Sequence, residues 1–472
     1  MTDDTARGES NADEADDAST DGEPTFEAVT RAVLAEIEPD ENERAILRAT
    51  ATTLLERAAT AATDRSPGAD VLQVGSSARD TWISGDRDID IFVRFPPTID
   101  RQTLETYGLE VGHETLPSGH EEYAEHPYVK GEYDGFDVDL VPCFRLEDAT
   151  DIRSAVDRTP FHNWYLEERL DDDLVDDVRL AKQFLKGIGA YGSNLRTEGF
   201  SGYLTELLVV EYGGFRSFLE AAADWHPPVE LDPEDHGQAT FDDPLIVIDP
   251  TDPGRNVAAV CSAENVARVQ HYARELLEAP NPGLFDAEPP EPLEVDALET
   301  HLERRDTTPV AIRFDAPDVV DDQLYPQLRK SLEGVRRGLD DRGFEVFRAE
   351  SFADETGVLY LELAVTERPA IERHEGPPVH VRTHAEGFFD AYTNDDTVYG
   401  PFLDGDRYVV ERERDYRSAI AFLESDDLFG VSLGAHVETA LEERYDILVD
   451  DEVTALLEEF PRALARFYDP TP

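Results

Sequence analysis

The sequence predicts an α+β chain of several domains, on three observations. Two short apolar strands in the first third carry a Gly-Ser turn and an Asp-x-Asp pair. Helical periodicity then dominates residues 151–224. Beyond residue 310, β-rich runs alternate with a long helical stretch. A length of 472 residues accommodates three or four domains.

Taken in order, residues 1–24 are acidic and small, without apolar spacing, and read as a disordered, solvating tail. Thr25 is placed to cap a helix whose Phe26, Val29, Val33 and Ile37 form one stripe. A second helix is expected near 42–64, and a third near 101–113. Val71–Val74 reads as a strand entering Gly75-Ser76, and Asp88-Ile89-Asp90 lies inside a second apolar run read as a strand. Asp134-Gly135 is a two-residue hairpin signal, so residues 25–150 form an α/β head.

Residues 151–290 read as a helical central domain. Within it Tyr203, Leu204, Leu207 and Leu208 form an apolar face read as core. LIVID (245–249) reads as a buried strand leading to Arg255, followed by a helix over 263–278. The Pro-rich stretch 279–293 reads as a linker. In 291–472, VAIRF (310–314), EVFRAE (345–350) and VLYLELAV (358–365) with a helix near 324–342 suggest an RNA-recognition-like α+β unit. Helix-rich sequence follows over 415–468.

The chemistry concentrates in VLQVGSSARDTWISGDRDIDIFVRF, residues 71–95. A Gly-Ser turn after a strand lets phosphate approach backbone N–H groups and a hydroxyl. Asp88 and Asp90, two apart on a strand, share one face. Carboxylates suit Mg²⁺, which binds protein through one or two of them plus substrate phosphates. Two-metal phosphoryl chemistry, with ions about 3.5–4 Å apart, calls for a third carboxylate. The strand after the Asp134-Gly135 turn offers Asp137 and Asp139 on one face, and pattern alone does not choose between them. These parts describe a nucleotidyl-transfer site.

The formal net charge is −63, with a pI near 4.3, and the basic residues are 38 Arg against 4 Lys. In concentrated salt, at about 1 M, the screening length shrinks to about 3 Å, so surface self-repulsion is quenched. The composition therefore reads as halophilic, and a 40% hydrophobic content argues against a wholly disordered acidic protein. Scarcity makes each retained lysine (Lys130, Lys182, Lys186, Lys330) informative. Counterion release contributes little to RNA binding in such salt. Candidate RNA contacts are then the short runs Arg329 with Lys330, Arg336 with Arg337, and Arg412 with Arg414. Cys143 and Cys261 show neither Cys-x-x-Cys spacing nor His clustering, which argues against a disulfide framework or structural zinc. No apolar run reaches 18 residues, so no membrane partner is expected and a cytoplasmic location is.

A Gly-Ser turn, an Asp-x-Asp strand and a later strand Asp together resemble the polymerase-β-like nucleotidyltransferase superfamily. More narrowly, the chain resembles the archaeal (class I) CCA-adding enzymes. The resemblance is carried by GSSARDTW (75–82), DIDIF (88–92), YAEHPYV (123–129), VDLVPC (138–143), SAVDRTPFH (154–162), EGFSGYLTELL (198–208), RNVAA (255–259) and DDQLYPQL (321–328). It implies a nucleotidyltransferase head and C-terminal domains that bind tRNA. The implied reaction is template-independent addition of CCA from CTP and ATP, with Mg²⁺ held by Asp88, Asp90 and Asp139. Asp88 stands where relatives often have Glu. Ser76 and Arg79 match positions contacting the incoming triphosphate. His162, Lys182 and Tyr191 match further nucleotide contacts, and Arg255 an arginine that helps select the base.

Alternatives from the sequence are a poly(A)- or oligoadenylate-type nucleotidyltransferase, an Asp-x-Asp glycosyltransferase, and a non-catalytic RNA-binding relative. A homodimer is compatible with the sequence but not fixed by it.

Overall fold

The computed structural model describes residues 24–472 apart from Ala124 and Glu288, so the expected tail at 1–24 lies almost wholly outside the described residues. The described chain forms two compact units. One holds the chain up to Tyr191 with Phe200–Ala287; the other holds Gly192–Gly199 with the chain after Ala287.

In the first unit, α1 (Phe26–Ile37) is capped by the Thr25 side chain, and α2 (Glu41–Arg65) by a reciprocal Asp40–Glu43 capping box. Then come β1 (Asp70–Val74), a single turn α3 (Ser76–Arg79), β2 (Asp88–Phe95) and α4 (Arg101–Thr115). The strands β3 (His120–Tyr123), β4 (Pro127–Tyr133) and β5 (Phe136–Phe144) complete a sheet of order β1-β2-β5-β4-β3. The β2–β5 pair is parallel and the other pairs antiparallel. Both residues of the Asp134-Gly135 turn have positive φ, +51° and +77°, the twist a two-residue hairpin needs.

Alternation along β2 sends Ile89, Ile91, Val93 and Phe95 into a core shared with Leu47, Leu54, Leu104 and Val111 of α2 and α4. Asp88 and Asp90 take the opposite face. Gly108 and Gly112, one turn apart on α4, allow this helix to approach the sheet. A Cβ on Gly108 would lie 2.5 Å from Pro142, and one on Gly112 would collide with Val129.

The chain continues through α5 (Thr159–Glu167), α6 (Asp172–Gly187), α7 (Gly202–Tyr212), α8 (Phe215–Ala223), a small sheet β6 (Val229–Leu231), β7 (Leu245–Asp249) and β8 (Asp252–Asn256), and α9 (Ala263–Glu278). Their core gathers Val178, Phe184, Leu207, Phe218, Val247 and Val269. Two expectations change here. The α1 stripe, read as part of the head, joins this second core through Val29, Val33 and Ile37. The expected linker at 279–293 begins with a 3₁₀ turn, Pro282–Phe285, whose Phe285 is buried edge-on to Phe184 and Phe215. A Pro-rich stretch carries a core anchor because one aromatic outweighs the loop-forming residues around it.

The second unit holds α10 (Val295–Arg305), β9 (Thr308–Asp315), α11 (Asp321–Asp341), β10 (Val346–Ala353) and β11 (Thr356–Leu363). An excursion follows: β12 (Ile371–Pro378), α12 (Arg382–Tyr392), β13 (Tyr399–Asp404) and β14 (Arg407–Glu413). The chain ends with α13 (Ala419–Leu423), α14 (Ala435–Glu443), β15 (Tyr445–Val449) and α15 (Pro461–Tyr468). The main sheet runs β10-β11-β9-β15, the strand order of the expected RNA-recognition-like layout, with β15 lying in a segment read as helical. Both its faces are covered. Val310, Ile312 and Phe314 pack with Leu328 and Val335 of α11, while Ala311, Val358 and Tyr360 pack with Leu464 and Phe467 of α15. RNA-recognition domains stack bases on an open sheet face; here that face is buried.

The arginine runs read as RNA contacts are engaged within this unit: Arg329 with Glu198, Arg336 and Arg337 with Glu333, and Arg412 and Arg414 with Glu372. Among the described residues, no helix is long and apolar enough to cross a membrane.

Adding one methyl at Gly112 overpacks the α4–sheet seam, so Gly112→Ala is expected to lose about 1–3 kcal/mol of stability. Chemical denaturation in multimolar KCl measures it; an unchanged midpoint contradicts the close approach.

Candidate active site

The parallel register of β2 on β5 sets Asp90 opposite Asp139 and Asp88 opposite Asp137. Two-residue alternation already puts each pair on one face, so pairing the strands makes a grid of four carboxylates. Asp88 and Asp137 are exposed, while Asp90 and Asp139 are partly buried. Asp88 is thus more open than the apolar residues flanking it suggest. Burial, with the charges of Asp139 and Asp88, pushes the Asp90 carboxyl up to about 6. Burial also raises Asp139 above its ordinary value, against the pull of Lys130. Burial followed by the charges of Asp86 and Asp137 raises Asp88.

Gly75, at φ +79°, turns the chain from β1 into α3 directly over this grid. A Cβ there would collide with Asp90 Oδ2, so the turn needs glycine both for its φ and for the approach. Ser76 follows as the first residue of α3.

Among the described residues, no three His, Cys, Asp or Glu side chains are already gathered as a metal cage. The donors nevertheless suit a hard divalent cation that shares its coordination with substrate phosphate, because such ions need only one or two protein carboxylates. Asp139 Oδ1 is buried without a hydrogen-bond partner, although Lys130 Nζ stands 3.3 Å away. Like charges crowded in this way call for a counter-cation.

Behind the turn lies a buried ionic hub. Arg79 donates through Nε and Nη2 to Glu206 Oε2 at 2.9 and 2.6 Å, and through Nη1 to Asn163 Oδ1 at 2.5 Å. Lys182 Nζ donates to Glu206 Oε1 at 2.8 Å, Thr81 O at 3.1 Å and Thr81 Oγ1 at 3.2 Å. The side chains of Arg79, Lys182 and Glu206 are only 7%, 3% and 1% exposed. Burial alone would raise Glu206, but Lys182 and Arg79 hold it at about 2. All three ammonium hydrogens of Lys182 are thus matched by protein acceptors. Arg79 and Lys182, both matched to nucleotide contacts, here hold Glu206 between them.

A second hub surrounds Asp249, which is fully buried at the end of β7. Its Oδ2 receives His162 Nε2 at 2.8 Å and Arg255 Nη1 at 2.7 Å, with Arg158 Nε at 3.8 Å. Its Oδ1 accepts the Thr251 N–H and hydroxyl at 2.9 and 2.8 Å. His162 stacks on Tyr203 at 3.9 Å between centroids. Tyr203, read as core, is therefore a partner of a candidate site residue. Tyr191 lies with the Lys186 ammonium 5.5 Å from its ring centroid, and Lys186 pairs with Asp86 at 3.1 Å. Burial, then the charges of Glu206, Asp86 and Asp88, raise the Tyr191 hydroxyl.

Sequence reading passed over Glu206, Asp249 and Asp157. Asp157 accepts the backbone N–H groups of Phe144, Arg153 and Ser154 at 2.7, 3.1 and 2.9 Å, tying the end of β5 to the 3₁₀ turn that leads into the helix bearing His162. The Ser154-x-x-Asp157 spacing carries a capping signal. For the other two, the signal is an acid inside an otherwise apolar run, LTELL and LIVID.

Fold and site together define a nucleotidyltransferase. A nucleotidyltransferase domain model matches residues 55–162, and the second domain of tRNA nucleotidyltransferases matches 176–286. The C-terminal domain of CCA-adding enzymes matches 305–450. CCA-adding enzymes from Halorubrum lacusprofundi and Haloarcula marismortui are 60% and 59% identical, each over 95% of this chain and 99% of theirs. One from Methanosarcina barkeri is 42% identical over 90% of this chain and 95% of its own. The chain belongs to the CCA-adding enzyme family, and its reaction is CCA addition to tRNA. Enzymes of this class generally depend on divalent metal, and the haloarchaeal relatives account for the acidic composition.

Two outcomes are expected. Because folding raises the Asp90 pKa to about 6 from 3.8, its contribution to stability is complete below about pH 4 and is lost as pH rises through 6. In EDTA, Asp90→Asn therefore melts above the wild type at pH 8 and close to it at pH 4. Glu206→Gln strands Lys182 and Arg79 as buried cations, costing about 3–5 kcal/mol by chemical denaturation.

Proposed function

We propose that Asp88, Asp90 and Asp139 hold Mg²⁺ and that this head, approximately residues 25–150, carries the transfer of CMP and AMP to the tRNA 3′ end. The observation supporting this most directly is the register that sets Asp90 beside Asp139 under the Gly75 turn. When bound, Mg²⁺ would neutralise phosphate charge and favour ionisation of the attacking hydroxyl. Asp139, whose buried Oδ1 faces the Lys130 ammonium at 3.3 Å, and Asp90 are the inner pair; Asp88 is the open outer member.

Ser76 is suited to hydrogen-bonding triphosphate beside the Gly75 turn. Arg79 and Lys182 act mainly by fixing that turn to the buried Glu206 while keeping positive charge behind it. Catalysis of this kind is positioning plus charge stabilisation for in-line attack. Tyr191, His162 and Arg255 supply contacts to nucleoside and base, Arg255 being the best placed for base selection through its half-exposed guanidinium. The central region 151–290 would bind nucleotide and acceptor end, and 291–472 the rest of the tRNA. Substrates of this kind imply a cytoplasmic enzyme.

Asp139→Ala is expected to abolish CTP and ATP incorporation into a tRNA lacking CCA, measured in multimolar KCl with Mg²⁺, while folding is retained. Asp137→Ala should keep most activity. Equal loss in both variants, or full activity in Asp139→Ala, contradicts the metal assignment. ATP-only tailing of any RNA would instead favour a poly(A)-type enzyme.

A further inference from the structure

We propose that Asp249 is a positioning residue for nucleotide selection, holding His162 in one tautomer and aiming Arg255 from the same carboxylate oxygen. The inference rests on the assignment of His162 and Arg255 as nucleotide contacts, and it concerns a residue neither of them reveals.

The geometry is specific. Asp249 Oδ2 stands 2.8 Å from His162 Nε2 and 2.7 Å from Arg255 Nη1, so one oxygen links side chains from α5 and β8. Its other oxygen is pinned by the Thr251 N–H and hydroxyl, which fixes the plane of the carboxylate. Asp249 also ends β7 within the core, and its backbone carbonyl meets His236 Nε2 at 3.0 Å. The carboxylate therefore has little freedom to turn. Arg158 adds positive charge, with Nη2 on Asp252 at 2.8 Å and Nε 3.8 Å from Asp249 Oδ2.

A carboxylate held ionised by these donors can only accept. Nε2 of His162 must then carry the hydrogen it donates to Oδ2, which leaves Nδ1 as the ring's acceptor. Burial lowers the His162 pKa below its ordinary value despite the pull of Asp249, and Arg255 and Arg158 add to the lowering, which favours the neutral ring at pH 7. A neutral ring with Nδ1 as acceptor suits an amino or hydroxyl donor on the nucleotide and does not suit a phosphate oxygen. Tyr203 flanks the ring face at a 12° interplanar angle, and its hydroxyl is buried without a hydrogen-bond partner among the described residues.

The shared oxygen couples two contacts. Arg255 and His162 are both aimed by the same fixed oxygen, so removing that acceptor releases both side chains together. A site choosing between cytosine and adenine with one set of residues needs such contacts to act together.

Steady-state kinetics with CTP on tRNA lacking CCA, and with ATP on tRNA ending in CC, test this in Asp249→Asn, His162→Ala, Arg255→Ala and their combinations. Asp249→Asn is expected to lower kcat/KM about tenfold or more with either nucleotide and to increase misincorporation of UTP, measured at a temperature where circular dichroism shows the variant folded, because breaking the buried pair also lowers its melting temperature. In the His162→Ala/Arg255→Ala background the same change should cost less than about twofold, because its route is already cut. An equal penalty in both backgrounds makes Asp249 merely structural and overturns the proposal. Wild-type kinetics in both His162→Ala and Arg255→Ala overturn the nucleotide-contact assignment itself, a distinct result that removes the basis for positioning. As a check needing no Asp249 variant, ¹⁵N NMR of labelled histidine in the intact protein should show His162 as the neutral Nε2–H tautomer at pH 7. An imidazolium or an Nδ1–H form refutes it.

Discussion

The site depends first on the parallel pairing of β2 with β5. Each strand alone offers two aspartates on one face. Their alignment, Asp88 with Asp137 and Asp90 with Asp139, turns two pairs into one acidic surface. Packing of α2 and α4 on the opposite face fixes which side those acids occupy, since Ile89, Ile91 and Val138 fill the core there. Hydrophobic burial on one face thus holds mutually repelling charges on the other. Asp90 shows the cost, with a carboxyl pushed to about 6.

Around that surface the protein places cations behind two buried acids. Glu206 gathers Arg79, Lys182 and Thr81; Asp249 gathers His162 and Arg255. Buried pairs of this kind rarely add much net stability over apolar packing, but breaking one is expensive. Their value here is geometric: long, flexible side chains near a nucleotide site are reduced to single orientations. Three of the four lysines are paired with acids in this unit, namely Lys130 with Asp139, Lys182 with Glu206 and Lys186 with Asp86. A chain that has otherwise replaced lysine by arginine keeps it where a compact ammonium fits among carboxylates.

Much of this was legible in the sequence, and the limits have physical reasons. The Gly75-Ser76 turn, Asp88, Asp90 and the Asp134-Gly135 hairpin are local patterns, so they could be read directly. Whether Asp137 or Asp139 stands beside Asp90 is set by a neighbouring strand, which alternation does not reveal. The α1 stripe was visible, but a stripe does not name its partner, and it serves the central core. Phe285 was hidden by surrounding prolines. The strands in 371–413 mix charges with short apolar runs and gave no clean period. Lys182 stood out through the scarcity of lysine and Arg79 through the resemblance, but their shared partner Glu206 lay inside an apolar helix read as core. The arginine runs 336–337 and 412–414 followed the commoner pattern of pairing with nearby glutamates.

The two-residue turn at Asp134-Gly135 has an evolutionary consequence. Side chains on β5 change sides at every step, so the turn acts as a phase setting for the acids that follow it. Gaining or losing one residue between the turn and Asp137 would keep the strand in the sheet yet rotate Asp137 and Asp139 among the apolar side chains of the helix layer. Descendants of this sequence can therefore vary that segment only in even steps, and its length should drift far less than its composition.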